Sequence, residues 1–119
     1  MKVAILGASN KRERYSNKAQ RRLMQHGHEV YPIHPLLPEI EGVKAYNSVD
    51  ALPEGIDTIT IYVNARVSSE LEEKMIRKSP RRIIFNPGTE NPELRQRLEA
   101  KGIIAQEACT LVLLGTDQF

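Results

Sequence analysis

Residues 3 to 6, Val-Ala-Ile-Leu, form an apolar run with no polar face, and Gly7, Ala8 and Ser9 follow with almost no side-chain bulk. Such a run suits a central parallel strand buried on both faces. The small residues leave bare backbone at the strand's carboxyl end. Ligands bind there in an open α/β sheet, and N–H groups beside a helix start suit phosphate oxygens. Lys11, Arg12, Arg14 and Lys18 surround the turn with positive charge. The stretch predicts a phosphate-cradling loop and, with it, a nucleotide-like ligand.

The rest of the chain repeats the theme of apolar run, punctuation and helical segment. Ser16 or Asn17 is placed to cap a first helix, which Gly27 stops. Glu29–Ile33 reads as the second strand, ended by His34-Pro35, and Lys44–Tyr46 as a very short third. Ser48 opens one helical turn through Leu52. Asp57–Val63, rich in β-branched residues, is the fourth strand. Asn64 caps a helix carrying Val67, Leu71 and Met75 at four-residue spacing, with Ser68 and Ser69 read as caps or solvent-facing residues at its start. Arg82–Asn86 is the fifth strand. Asn91 with Pro92 marks another helix start, Gly102 its stop, and Ile103–Gln106 the last strand. Leu111–Leu114 closes the chain as a short helix. Strands alternating with helices predict a single α/β domain over residues 1–119. Its sheet is parallel, doubly wound and Rossmann-type, with about six strands in the order 3-2-1-4-5-6, the third degenerate, and helices on both faces.

Charge and cysteine content narrow the function. Residues 11 to 22 hold six basic side chains against Glu13 alone, while the chain as a whole carries only +2. A local basic patch on an acidic remainder fits a compact anion better than an extended nucleic acid. Arg21 and Arg22 are also compatible with a merely solvated helix face. The single cysteine excludes an internal disulfide framework and suits a reducing compartment. Met1-Lys2-Val3 enters the first strand without a signal peptide, and no apolar run approaches the ~20 residues that span a bilayer. The expectation is a cytoplasmic protein without membrane contact.

The identity of the ligand turns on two places. The dinucleotide fingerprint needs three glycines, and Gly7-Ala-Ser-Asn-Lys-Arg12 supplies one. An NAD site presents a carboxylate to the ribose after the second strand, whereas this chain presents His34-Pro35 and no acid before Glu39. NAD is disfavoured, which leaves NADP or coenzyme A.

Several ordered segments carry a resemblance: Val3–Ser9, Tyr15-Ser-Asn17, Gly27-His-Glu-Val-Tyr-Pro-Ile-His-Pro35, Ile40-Glu-Gly-Val-Lys-Ala-Tyr46, Leu52-Pro-Glu-Gly-Ile-Asp57, Pro87-Gly88 and the late Cys109. Taken together, the chain resembles the small stand-alone CoA-binding-domain proteins, related to the nucleotide-binding part of succinyl-CoA synthetase. The resemblance implies a Rossmann fold and coenzyme A or a short acyl-CoA as ligand, with no assigned reaction. It places the diphosphate near Gly7, Ala8, Ser9 and the loop after them, including Lys11, Arg12, Arg14 and the helix entry at Ser16 and Asn17. It places the adenosine near His34 and Pro35, with Val63, Asn64, Pro87 and Gly88 lining the remaining cleft. The family commonly has Asn-Pro where this chain has His34-Pro35.

Individual residues also have plainer roles. Ser9 can bond a phosphate or satisfy a turn amide. Lys11, Arg12 and Arg14 can meet phosphates or water. His34 is read as a stacking or bonding group, not an acid–base catalyst. Cys109, among apolar neighbours, is read as a buried structural cysteine. No catalytic set and no metal site is legible. The expected function is non-catalytic binding of CoA or acyl-CoA, a small adenine nucleotide, by a chain that can form a homodimer. Two alternatives stand beside it: a small NADP-dependent oxidoreductase or redox-sensing nucleotide switch, and an interaction domain with a vestigial cleft working through Leu111–Leu114.

Overall fold

Every main strand forms where an apolar run meets a small or polar stop. The computed structural model describes residues 1–119. The strands and helices run β1 (Lys2–Leu6), α1 (Tyr15–Gln25), β2 (Glu29–Ile33), β3 (Glu39–Ile40), β4 (Val43–Lys44), β5 (Thr58–Ile61), α2 (Ala65–Glu70), α3 (Glu72–Arg77), β6 (Arg82–Phe85), α4 (Pro92–Ala100), β7 (Ile104–Glu107) and α5 (Thr110–Gly115), with a single 3-10 turn at Val49–Ala51 before β5. Five parallel strands form the main sheet in the order β2-β1-β5-β6-β7. The fold is α/β and Rossmann-like, as the alternation predicts. No helix is long and apolar enough to cross a membrane.

The strand pleat divides the core between two faces. Val3 and Ile5 point to the face covered by α1 and α5, packing with Leu23, Val30 and Leu114. Ala4 and Leu6 point the other way, joining Ile59, Ile61, Ile83, Phe85, Met75, Leu94 and Leu98. The first face turns polar beyond β1. Thr60 Oγ1 lies 2.8 Å from Thr110 Oγ1, and Asn86 Nδ2 donates to Thr60 Oγ1 at 2.7 Å and to the Ile61 carbonyl at 2.9 Å. The Asn86 Oδ1 accepts from Thr110 N at 2.9 Å, which fixes the start of α5 over the end of β6.

Four local expectations change. The predicted third strand is reduced to one parallel bridge, Ile33 to Tyr46, beside β2. Lys44 instead joins β4, which pairs antiparallel with β3 around the two-residue turn Glu41-Gly42. Both turn residues have positive φ, 51° and 75°, as a tight hairpin matching strand twist requires. Neither Ser16 nor Asn17 caps α1; the cap position is Arg14, and both lie buried in the first turn. The helix after Asn64 breaks at Leu71 into α2 and α3. Ser68 is buried inside α2, where its hydroxyl and that of Ser69 accept from Asn91 Nδ2. Two capping expectations hold. Asn64 Oδ1 accepts from Val67 N at 3.0 Å, and Asn91 Oδ1 accepts from Leu94 N at 3.2 Å, with Pro92 following.

Candidate functional site

The parallel sheet brings the ends of β1, β2, β5 and β6 to one edge, and with them the Gly7–Ser9 turn, His34-Pro35, Val63-Asn64 and Pro87-Gly88. Gly7 stands where the β1 turn presses on the end of β5. Its φ is +90°, and a Cβ there would lie 2.9 Å from Val63 Cγ1 and 3.1 Å from the Tyr62 carbonyl. Only glycine meets both demands. Ala8 is buried, and its amide donates to the Ile33 carbonyl at 3.2 Å, fastening the turn to β2.

The loop between β1 and α1 is held from beneath by buried polar side chains. Asn17 Nδ2 donates to the Ser9 carbonyl at 2.9 Å and to Glu41 Oε2 at 3.2 Å. Its Oδ1 accepts from Arg21 Nε at 2.8 Å, while Arg21 Nη2 reaches the Arg12 carbonyl at 2.9 Å. Gln20 Nε2 adds a bond to the Ile40 carbonyl at 3.0 Å. Arg21, compatible in sequence with a solvated helix face, is thus a strap across the loop. Ser9 takes the turn role: its Oγ accepts from Lys11 N at 3.0 Å.

What the strap leaves open is backbone. The N–H groups of Ser9, Asn10, Arg12, Glu13, Tyr15 and Ser16 have no partner within the protein. They sit at and before the amino terminus of α1, an 11-residue helix whose aligned peptide dipoles favour an anion there. Lys11, Arg12 and Arg14 are exposed around them. Two acids are present: Glu13, exposed within the loop itself, and Glu41, carried in by the hairpin tip and lying 3.6 Å from Arg12 Nε. Nothing local in the sequence announces the placement of Glu41, because Glu-Gly is not the usual Asn-Gly or Asp-Gly hairpin pair.

Other expected residues have prior engagements. His34 Nδ1 accepts from the amides of Leu36 and Leu37 at 3.0 and 3.1 Å, so this nitrogen is unprotonated and only Nε2 and the ring face remain. Pro35 beside it is exposed. The Asn64 carbonyl oxygen is spent on its own helix. Gly88 N donates to the Glu90 carboxylate at 3.0 and 3.1 Å.

Beside the loop lies a hollow of about 290 Å³ lined by Tyr15, Tyr62, Asn86, Pro87, Cys109 and Leu111. These residues come from the start of α1, from the segments just after β5, β6 and β7, and from the first turn of α5. Cys109 is half-buried here, not sealed in the core as its apolar company suggested. Burial pushes the Tyr62 phenol up to about 12, which keeps it neutral. A larger, more open trough of about 530 Å³ runs along edge strand β2 between Met24, Tyr31 and Lys44. Since it flanks the sheet and does not cap the strand ends, the smaller hollow is the one contiguous with the amide-rich loop.

This arrangement defines a class, a Rossmann-like domain with an anion-favouring β1–α1 loop. Comparison with known proteins narrows the class: the chain belongs to the family described as "CoA binding domain", matched over residues 1–115. It is 25% identical over 101 residues to an uncharacterised protein of Bacillus subtilis, covering 85% of this chain and 75% of that one. The alpha subunit of an ADP-forming acetate–CoA ligase II from Pyrococcus furiosus is 36% identical over 62 residues, 51% of this chain and 14% of the subunit. A Methanocaldococcus jannaschii ADP-forming acetate–CoA ligase is 38% identical over 72 residues, 60% of this chain and 10% of that enzyme. The chain thus spans a small part of the ligases it matches and is homologous to their CoA-binding portion. Among solved structures, one uncharacterised protein superposes with a TM-score of 0.94 at 39% identity, covering 99% of this chain and 97% of its own. A hypothetical protein from Pyrococcus horikoshii OT3 gives 0.87 at 32%, covering 92% and 78%. Family membership supports a CoA-related binding role and gives the NADP alternative no support.

Proposed function

We propose that this chain binds coenzyme A or a short acyl-CoA at the carboxyl edge of its sheet and carries out no reaction of its own. The observation that carries the reading is the set of unpartnered amides from Ser9 to Ser16, ringed by Lys11, Arg12 and Arg14. Phosphate oxygens need several N–H donors and positive charge together, and a helix amino terminus supplies both without moving side chains. These residues would hold the diphosphate, and the adenosine would lie against His34 and Pro35. The densest basic cluster, residues 11 to 22, covers only one loop and one helix, which suits a small adenine nucleotide better than a nucleic acid.

The non-catalytic part rests on what borders the hollow. Cys109 has no histidine or carboxylate among the lining residues to take its proton, and Tyr62 is held protonated. Acyl transfer through a thiol requires such a base or a depressed thiol pKa. Titration calorimetry with CoA, dephospho-CoA and NADPH at equal ionic strength tests the reading. CoA is expected to bind most tightly, and the absence of heat with CoA at high concentration would overturn it. Incubation with acetyl-CoA should release no free thiol above the background rate; catalytic release would overturn the non-catalytic part.

A further inference from the structure

We infer that the hollow beside α1 receives the thiol end of the ligand and selects short, uncharged acyl groups over carboxylated ones. This rests on the reading of the site as a CoA site and adds the chemical class of the acyl group.

Position comes first. Tyr15 is both the first residue of α1, next to the exposed Arg14, and a wall of the hollow, so the cavity begins where the amide-rich loop ends. At about 290 Å³ it is at the small limit of ligand pockets, which run ~300–1,000 Å³. It therefore has room for a thioester and a few carbons, not for a whole nucleotide.

Chemistry comes second. No lysine, arginine or histidine lines the hollow. Asn86 is there, but its side-chain bonds are spent on Thr60, Ile61 and the Thr110 amide, and its residue surface is only 2% exposed. Tyr62 is neutral, and Leu111, Pro87 and Cys109 complete an apolar wall. Lys18 is exposed and does not line the hollow, its Nζ standing 5.2 Å from the Tyr15 ring centroid. A carboxylate drawn into this space would lose water and gain no cation, which is costly. A methylene placed there leaves water at a gain.

The test is a series of titrations with free CoA, acetyl-, propionyl-, butyryl- and malonyl-CoA. Propionyl-CoA should bind ~4-fold more tightly than acetyl-CoA, the worth of one buried methylene. Malonyl-CoA, similar in size to butyryl-CoA, should bind at least ~10-fold more weakly than it. In Leu111→Trp, whose ring would fill the hollow, the ratio of propionyl-CoA to free CoA affinity should fall to near one. Equal affinities across the series with free CoA still bound would overturn this inference and leave the CoA reading standing, as would tighter binding of malonyl-CoA. Failure of every member to bind would overturn both.

Discussion

The two edges of the sheet are built on opposite plans. At the amino-terminal edge, Arg81 grips the Asp57 carboxylate with two bonds, 3.0 and 3.1 Å, and the Asp57 carbonyl accepts from the amides of Arg81 and Arg82. Arg82, nearly buried, lies 4.4 Å from the Phe119 ring centroid and bonds Thr58 and the Phe119 carbonyl. Charges there face each other. At the carboxyl-terminal edge the loop after β1 is strapped from below by Asn17 and Arg21, while six amides there have no partner within the protein and Lys11, Arg12 and Arg14 are exposed. The same strands thus end in a closed network on one side and an open donor array on the other. Groups that contribute most to stability have little left to offer a ligand, and groups left open add little to stability.

That division makes the effects of substitution separable. The largest belongs to Gly7→Ala, which sets a methyl group against Val63 and the Tyr62 carbonyl at positive φ. A loss of roughly 3 kcal/mol in denaturant unfolding is expected, combining the left-handed backbone cost with overpacking. Next is the pair Arg12→Ala with Arg14→Ala, which should weaken CoA about 10-fold and flatten the salt dependence of binding, with the unfolding midpoint nearly unchanged.

Asp57→Asn does the reverse, leaving CoA affinity alone and costing about 0.5–1 kcal/mol at neutral pH, a modest figure because the pair is partly exposed. The hydrogen bonds from Arg81 hold the Asp57 carboxyl below the usual range. Its contribution is therefore full above that range and lost as pH falls through the depressed value, so the variant and parent should converge in strong acid. Smallest is Glu41→Gln, which frees Arg12 from a competing carboxylate and should tighten CoA by ~2-fold. Weaker binding in that variant would mean that Arg12 and the ligand phosphates do not meet.

The fold was legible because its signals are local. Apolar runs such as Val3–Leu6, and helix starts such as Asn64 and Asn91-Pro92, each act within a few residues. The Gly7 turn was legible for the same reason. The hollow was not, because Tyr15, Tyr62, Asn86 and Cys109 lie on four separate segments that only the closed sheet juxtaposes. Thr60 shows the same limit: β-branched residues announce a strand, yet nothing local says that Thr60 meets Thr110 and Asn86 beneath a helix. The β3–β4 hairpin escaped because two-residue strands carry too little pattern, and with it went the placement of Glu41 beside the basic loop. Of Leu111–Leu114, named in one alternative as an association tail, Leu113 and Leu114 are buried while Val112 is exposed, an alternation that the apolar run does not reveal by itself.

Amide chemical shifts followed by ¹H–¹⁵N NMR during titration with CoA examine both edges at once. The amides of Ser9, Asn10, Arg12, Glu13, Tyr15 and Ser16 should move saturably, while those of Lys2, Asp57, Arg81 and Arg82 stay in place. Shifts centred on the amino-terminal edge, or a β1–α1 loop unmoved at saturating CoA, would contradict the assignment of the ligand to the open donor array.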